Sequence, residues 1–202
     1  IRGNIISGNI ANGLGGSQGG GILVGHSSPA VIVQNIIIGN SAREGGGIAL
    51  GGPPDSLMNN TIANNDGFQG SGIFAFGIFD GTIIVNNIIT ALEAQTAIFC
   101  RDVGIQDPLD FSSNNVFSVS GSPYGGVCTN QTGINGNISS DPSFASPAVG
   151  AYYLNDGSAS IDAGDDRVSN LPPVDFIGNS RTIDGDGDGI PVVDIGAIEF
   201  AK

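Results

Sequence analysis

The feature that most constrains the fold is a short motif that recurs along the chain at nearly constant spacing. Asn-Ile-Ile begins at Asn4 and again at Asn35, and a related Asn-Thr-Ile begins at Asn60. Looser copies begin at Asn87 and Asn115, so successive copies lie 31, 25, 27 and 28 residues apart (35−4, 60−35, 87−60, 115−87). A repeat of this length predicts a stack of similar units, each packing on its neighbours, rather than one closed core.

Each repeat contains three short apolar runs, which predict three strands per turn of the stack. The Asn run is followed by a glycine cluster that leads into a second run, as at residues 45–48, and a third run precedes the next Asn, as at residues 30–34. Ile and Val dominate these runs, as expected for strands. We therefore predict an all-β fold, a right-handed parallel β-helix (solenoid) of about five coils over residues 1–140, followed by an irregular section over residues 141–202.

The recurrent Asn has a structural explanation. At a fixed corner of a solenoid, Asn side chains stack about 4.8 Å apart and can hydrogen-bond along the stack. Asn also tolerates the left-handed backbone that such corners need, and the glycine clusters serve the same purpose at a second corner. We therefore favour an architectural role for both motifs over ligand binding.

Charge and composition restrict the partners. The chain has 6 Lys+Arg against 19 Asp+Glu, a net charge of −13, which argues against nucleic acid and anionic membranes. No apolar run approaches the roughly 20 residues of a membrane span. The chain starts at Ile1 inside a repeat, with no visible signal peptide, so we expect a processed product or further residues upstream.

Two cysteines predict a disulfide. Cys100 and Cys128 lie 28 residues apart, the same step as between the last two Asn copies, which places them on neighbouring coils. The glycine-strand register differs by one residue, since Ile98 to Val127 is 29 (127−98), and such a slip would point the sulfurs to opposite faces. A disulfide suits an exported protein, and two buried thiols are the alternative.

From residue 141 the repeat gives way to a series of short motifs. They include Asp-Pro-Ser-Phe at 141–144, Ser-Ile-Asp-Ala-Gly at 160–164 and Asp-Ile-Gly-Ala-Ile-Glu-Phe at 194–200. Their order resembles the C-terminal segment of choice-of-anchor Q domain proteins, which are secreted bacterial proteins with right-handed parallel β-helix repeats. The resemblance implies a secreted or cell-surface location and a sorting anchor that varies between members, and it implies no single activity. Because the chain ends at Lys202, we expect the anchor to be absent or removed.

Alternating Asp and Gly residues in this section predict a Ca²⁺ site. The first, third and fifth positions of an EF-hand-like loop carry Asp here, and Gly189 takes the sixth. The twelfth position is Ile195 rather than Glu, so the loop is an incomplete EF-hand. The predicted ligands are Asp184, Asp186, Asp188 and Asp194. Further acids that could complete this site or a second one are Asp165, Asp166 and Asp175. The alternative is a solvated acidic turn.

One basic residue lies beside several acids and is the candidate for catalysis. Arg101 precedes Asp102, Asp107 and Asp110 in a wider loop. A lyase would use such an Arg as a base, and a paired carboxylate could act as the acid and base of a glycosidase. We expect an ion-paired loop rather than an active site.

These observations favour a non-catalytic structural protein of the cell surface or extracellular matrix. If the C-terminal section pairs with the open edge of the first coil, subunits would add head to tail into filaments. The alternative is a module that binds or cleaves extracellular polysaccharide. Tyr124, Tyr152 and Tyr153 are then the candidates for exposed stacking on sugars, whereas Phe74 and Phe76 share a face that we expect in the core.

Overall fold

The chain is an all-β solenoid in which strands of successive coils stack in parallel. The computed structural model describes residues 1–13, 16–25, 29–52, 56–77, 81–102, 109–147 and 150–202. Its parallel strands form three sheets that run the length of the stack, as the repeat predicted. The handedness of the coil stays a prediction.

The three sheets correspond to the three apolar runs of each repeat. The first sheet contains β1 (Ile5–Ser7), β4 (Ile36–Ile38), β8 (Thr61–Gln69), β11 (Ile88–Ala91) and β14 (Asn115–Phe117), with β5 (Ser41–Glu44) beside β8. The second sheet contains β3 (Val31–Val33), β7 (Ser56–Met58), β10 (Ile83–Val85) and β13 (Asp110–Ser112). The third sheet contains β2 (Ile22–Val24), β6 (Ile48–Leu50), β9 (Ile73–Ala75), β12 (Thr96–Cys100) and β15 (Ser122–Gly126).

The core is built from residues that stack in line from coil to coil. In the first sheet Ile37, Ile62, Ile89 and Val116 occupy equivalent inward positions, and all four are fully buried. Burying each such side chain contributes roughly 1.5–3 kcal/mol. The parallel register places like residues next to one another, so every coil repeats the same packing.

An Asn ladder runs along one corner of the stack. The backbone N and the Nδ2 of Asn35 both donate to Oδ1 of Asn60, at 2.9 and 3.0 Å, and the same pattern repeats in the later coils. The complete ladder is Asn4, Asn35, Asn60, Asn87, Asn114 and Asn137.

The predicted fifth member of this ladder, Asn115, is therefore wrong. Asn115 begins β14 and faces outward, where its Nδ2 donates to Ser160 Oγ at 2.9 Å. The preceding residue, Asn114, takes the ladder position because the chain turns the corner one residue earlier, at Ser113.

The left-handed backbone also falls one residue before the predicted position. Gln34, Asn59 and Asn86, which directly precede ladder residues, have φ of 61°, 50° and 56°. The ladder Asn bonds along the stack, and its neighbour reverses the chain and points its amide outward. This outward row of amides becomes important for the C-terminal section.

The glycine clusters turn a second corner, as predicted. Gly45 has a φ of 68°, and a Cβ built on it would lie 2.3 Å from the carbonyl oxygen of Ile48. A side chain cannot be accommodated at that distance, so this turn requires glycine.

The C-terminal section lies along the side of the solenoid rather than on its end. Its antiparallel strands are β16 (Phe144–Ser146), β17 (Ala151–Leu154), β18 (Thr182–Ile183) and β19 (Val192–Val193). Ala197 and Ile198 pack against Ile36, and Leu154 and Ile195 pack against Ile88. The outward corner amides complete the contact: Gln34 Nε2 donates to the carbonyl oxygen of Val174 at 2.7 Å, and Asn86 Nδ2 to that of Asp165 at 2.9 Å.

Cys100 and Cys128 form the predicted disulfide, with Cα atoms 5.2 Å apart. Both registers considered from the sequence are wrong, because Ile98 pairs with Tyr124. The chain turns at Gly126, whose φ is 68°, and Cys128 thereby reaches Cys100 from beyond the end of β15.

Candidate metal centre

The Asp-Gly repeat forms a turn, the acidic loop (residues 184–190), that its own carboxylates fold. Asp184 accepts the backbone N–H of Gly187 at 2.7 Å and that of Gly189 at 3.0 Å. Asp186 and Asp188 each accept from the residue two positions later. These bonds orient the carboxylates of the loop without a partner from elsewhere in the chain.

A fourth carboxylate, Asp162, joins the loop from a distant part of the sequence. Its Oδ2 accepts the N–H of Gly185 at 2.9 Å and that of Asp186 at 2.8 Å. Ligand atoms of Asp162, Asp184 and Asp186 lie within 4.8 Å of one another. Carboxylate oxygens at this spacing are the ligands that Ca²⁺ prefers. Sequence reasoning missed Asp162, although it lies in the Ser-Ile-Asp-Ala-Gly motif at 160–164.

Two predicted ligands lie outside this cluster. Asp188 is exposed on the far side of the turn and bonds to Ile190 N at 2.8 Å. Asp194 is 1% exposed, and its two oxygens accept the N–H groups of Asp162 at 2.8 Å and Phe200 at 2.6 Å. Burial raises the pKa of Asp194 to about 6. This carboxylate therefore holds the backbone together instead of facing the loop.

The three further acids also lie outside the cluster. Asp165 pairs with Arg167 at 2.9 Å, and this hydrogen bond lowers the pKa of its carboxyl. Asp175 is buried and accepts the N–H groups of Ile177 and Asn179 at 2.9 and 2.8 Å. Asp166 is exposed.

A buried ion pair lies beneath Asp194. Arg181 Nη1 and Glu199 Oε1 are 2.6 Å apart, and the two residues are 2% and 3% exposed. Arg181 also donates to the carbonyl oxygens of Gly196 and Ala197 at 3.2 and 3.1 Å. Burial, followed by the charge of Asp194, raises the pKa of Glu199 to about 8. The pair fastens the last strand-like segment and was not predicted.

The catalytic candidate Arg101 is ion-paired with Glu44, at 2.5 Å, and its guanidinium lies 4.8 Å from the centre of the Phe74 ring. Glu44 is 57 residues earlier in the sequence and was not among the acids considered. Asp110 is exposed at the start of β13, Asp102 is also exposed, and Asp107 lies outside the described residues. The expected ion pairing of Arg101 is present, with a different partner.

Aromatic side chains give little exposed surface for a sugar. Tyr124 and Tyr152 are 6% and 4% exposed, so the expectation that they are accessible is wrong. Tyr153 is 44% exposed. Phe74 is fully buried and stacks on Phe76, with ring centroids 5.6 Å apart.

Comparison with known proteins adds no name to this fold: no family model, no curated protein and no solved structure matches the chain. The resemblance to choice-of-anchor Q domain proteins therefore stays a prediction. None of the described residues forms a helix long and apolar enough to cross a membrane.

Proposed function

We propose that this protein is a non-catalytic structural β-solenoid of the cell surface or extracellular matrix, with a C-terminal section that Ca²⁺ stabilises. The observation that carries the proposal is the convergence of Asp162, Asp184 and Asp186. The disulfide between Cys100 and Cys128 and the resemblance of the C-terminal motifs support an extracellular location.

Electrostatics favours a bound cation at the acidic loop. Three carboxylates within 4.8 Å of one another repel in a chain whose net charge is already −13. A hard cation relieves that repulsion, and Ca²⁺ accepts six to eight oxygen ligands in flexible arrangements. Asp162, Asp184 and Asp186 would supply carboxylate oxygens, with carbonyl oxygens and water completing the shell.

A structural role also agrees with the surroundings of Arg101. Its guanidinium is neutralised by Glu44 and rests on Phe74, so it is not a free base facing a groove. Glu44 in turn accepts a hydrogen bond from Gln18 at 2.9 Å. The group that sequence reasoning considered for catalysis thus ties neighbouring coils together.

The Asn ladder bears on the proposed head-to-tail assembly. Each ladder residue donates to the Asn of the next coil, so the ladder has a direction. At its last member, Asn137, the backbone N donates to the carbonyl oxygen of Ile134 at 3.0 Å and Nδ2 to that of Phe111 at 2.9 Å. Those donors are already used, and the C-terminal section lies beside the stack. The geometry therefore supports a discrete module better than a filament, and electron microscopy of the purified chain distinguishes the two.

Thermal unfolding with and without Ca²⁺ tests the proposed function. At a Ca²⁺ concentration about 100-fold above the dissociation constant, we expect about 2.7 kcal/mol of stabilisation, or roughly 5–10 °C in Tm. Asp184→Asn and Asp186→Asn should lose this increase, whereas Asp156→Asn, an exposed acid outside the cluster, should keep it. Identical melts of the wild type in Ca²⁺ and in chelator would contradict the calcium site.

A further inference from the structure

We infer that Asp194 couples the acidic loop to the docking of the C-terminal segment on the solenoid, and that it acts as a positioning residue for Asp162. The segment concerned, residues 194–200, is called the C-terminal wedge below. The inference concerns a mechanical link between two parts of the molecule, and it assigns Asp194 a role other than the ligand role predicted from the sequence.

The first step of the link joins the solenoid to the wedge. Gly196 N donates to the carbonyl oxygen of Asn86 at 2.9 Å, and Ala197 N donates to Thr61 Oγ1 at 3.1 Å. Both acceptors belong to the solenoid, and Ala197 is fully buried against it. The wedge therefore takes its position from two neighbouring coils.

The second step joins the wedge to Asp162. One oxygen of the Asp194 carboxylate accepts the N–H of Asp162 at 2.8 Å, and the other accepts the N–H of Phe200 at 2.6 Å. The first bond fixes the backbone of Asp162, and the second closes the wedge on itself. Because Asp194 is 1% exposed, water does not replace either bond if it breaks, and each lost partner leaves a buried polar group unsatisfied.

The third step joins Asp162 to the acidic loop. Its carboxylate accepts the N–H groups of Gly185 and Asp186 through Oδ2 and that of Val192, at 3.3 Å, through Oδ1. The main chain of Asp162 is thus set by the wedge while its side chain sets the loop. The contacts are continuous from Thr61 and Asn86 to Asp186, and loosening the wedge should loosen the loop.

For cation binding this arrangement has a direct consequence, which rests on the proposed function. A residue that only orients a ligand still affects affinity, and removing such a partner typically costs about 10- to 100-fold in metal affinity. Cation affinity at the loop should therefore depend on the docking of the wedge, although Asp194 itself contacts no cation.

Hydrogen exchange in the metal-free protein tests the coupling itself. Asp194→Asn keeps the shape of the side chain but replaces one acceptor by an NH₂ group, so one of the two backbone bonds must fail. Gly196→Ala disturbs the wedge on its solenoid side, because a Cβ there would lie 2.8 Å from Ile88 Cδ1 at a φ of 116°. We expect the amides of Gly185 and Asp186 to exchange at least about tenfold faster in both variants.

The matched control is Gly133→Ala, which also places a side chain at positive φ (80°) but has nothing within 4 Å of the added Cβ. Its loop amides should exchange at the wild-type rate. If Asp194→Asn folds, as judged by its circular dichroism, and its loop amides exchange as in the wild type, the coupling is wrong. If Gly196→Ala fails to fold, Asp194→Asn alone decides.

Calorimetric titration with Ca²⁺ separates this inference from the proposed function. We expect Asp194→Asn to bind Ca²⁺ about tenfold more weakly than the wild type at a temperature where both are folded. A wild type that does not bind Ca²⁺ overturns the proposed function, and the exchange data then still decide the coupling. A wild type that binds, with an Asp194→Asn variant of equal affinity and equal exchange, overturns the inference.

Discussion

At the scale of single residues, the solenoid depends on polar groups that are buried and fully used. Asn87 is fully buried in the middle of the ladder. Its Nδ2 donates to Asn114 Oδ1 and to the carbonyl oxygens of Leu57 and Val85, and its Oδ1 accepts from the backbone N and Nδ2 of Asn60. One side chain therefore satisfies backbone groups on several coils, which explains why Asn rather than an apolar residue recurs at this corner.

Asn87→Ala should be among the most destabilising substitutions in the chain. It leaves buried donors and acceptors on adjacent coils without partners, and each costs about 1–3 kcal/mol, so we expect a total loss of about 3–5 kcal/mol. Urea unfolding followed by circular dichroism measures the loss. Asn4→Ala is the matched control, because Asn4 is an exposed member of the same ladder and should cost less than about 1 kcal/mol. Equal losses in the two variants would show that the ladder does not stabilise the stack.

At the scale of the element, the sequence was sufficient to predict the coils but not their register. The repeat predicted three strands per turn, the Asn corner and the glycine corner. It could not place the ladder in an Asn-Asn pair, because Asn114 and Asn115 have the same side chain and only the position of the left-handed residue distinguishes them. The disulfide partners were predicted, but the route was not, since Cys128 lies on a turn beyond β15.

The metal cluster was predicted only in part, for a similar reason. Asp184 and Asp186 are neighbours in sequence, so their spacing indicated a shared ligand. Asp162 is 22 residues from Asp184 (184−162) and reaches the loop only after the section has folded. Asp194 seemed a ligand from its position in the sequence. The structure gives it backbone amides as partners, and a single sequence carries no sign of such contacts.

The buried acids of the C-terminal wedge make a prediction about pH. Burial raises the pKa of Glu199 to about 8, above the value of about 4.3 expected in the unfolded chain. The folded state therefore holds a proton that the unfolded state releases, and stability should fall as pH rises from about 4 to about 8. The slope contributed by one proton is at most about 1.4 kcal/mol per pH unit.

Thermal melts across this pH range check the prediction, and Glu199→Gln provides the comparison. The variant cannot ionise, so its Tm should fall less steeply with pH than that of the wild type. The general repulsion of a chain with a net charge of −13 also grows with pH, but it acts on both proteins. Parallel slopes for the two proteins would mean that Glu199 does not titrate in this range.

At the scale of the whole molecule, the C-terminal section is a lateral layer without a core of its own. Its buried apolar residues pack against the outer face of the first sheet: Tyr152 and Ile198 meet Ile36, while Ile161 and Leu154 meet Ile88. Val168 and Leu171 partly cover a further cluster on the second sheet. The boundary near residue 140 therefore marks a change of sequence pattern, and the apolar surfaces on its two sides are buried together.

This arrangement predicts that the solenoid and the C-terminal section unfold together. Because Tyr152 is 4% exposed, packs on Phe144 with ring centroids 5.0 Å apart and accepts a hydrogen bond from Asn64, Tyr152→Ser should weaken the section and the solenoid at once. Calorimetry should show one transition at a lower temperature, by roughly 2–4 °C per kcal/mol lost, since a section without its own core cannot melt separately and leave the first sheet uncovered. Tyr153→Ser is the matched control: Tyr153 is 44% exposed, and its loss should leave the transition nearly unchanged. Two transitions in Tyr152→Ser, the first leaving the β-sheet circular dichroism intact, would mean that residues 141–202 fold as an independent domain.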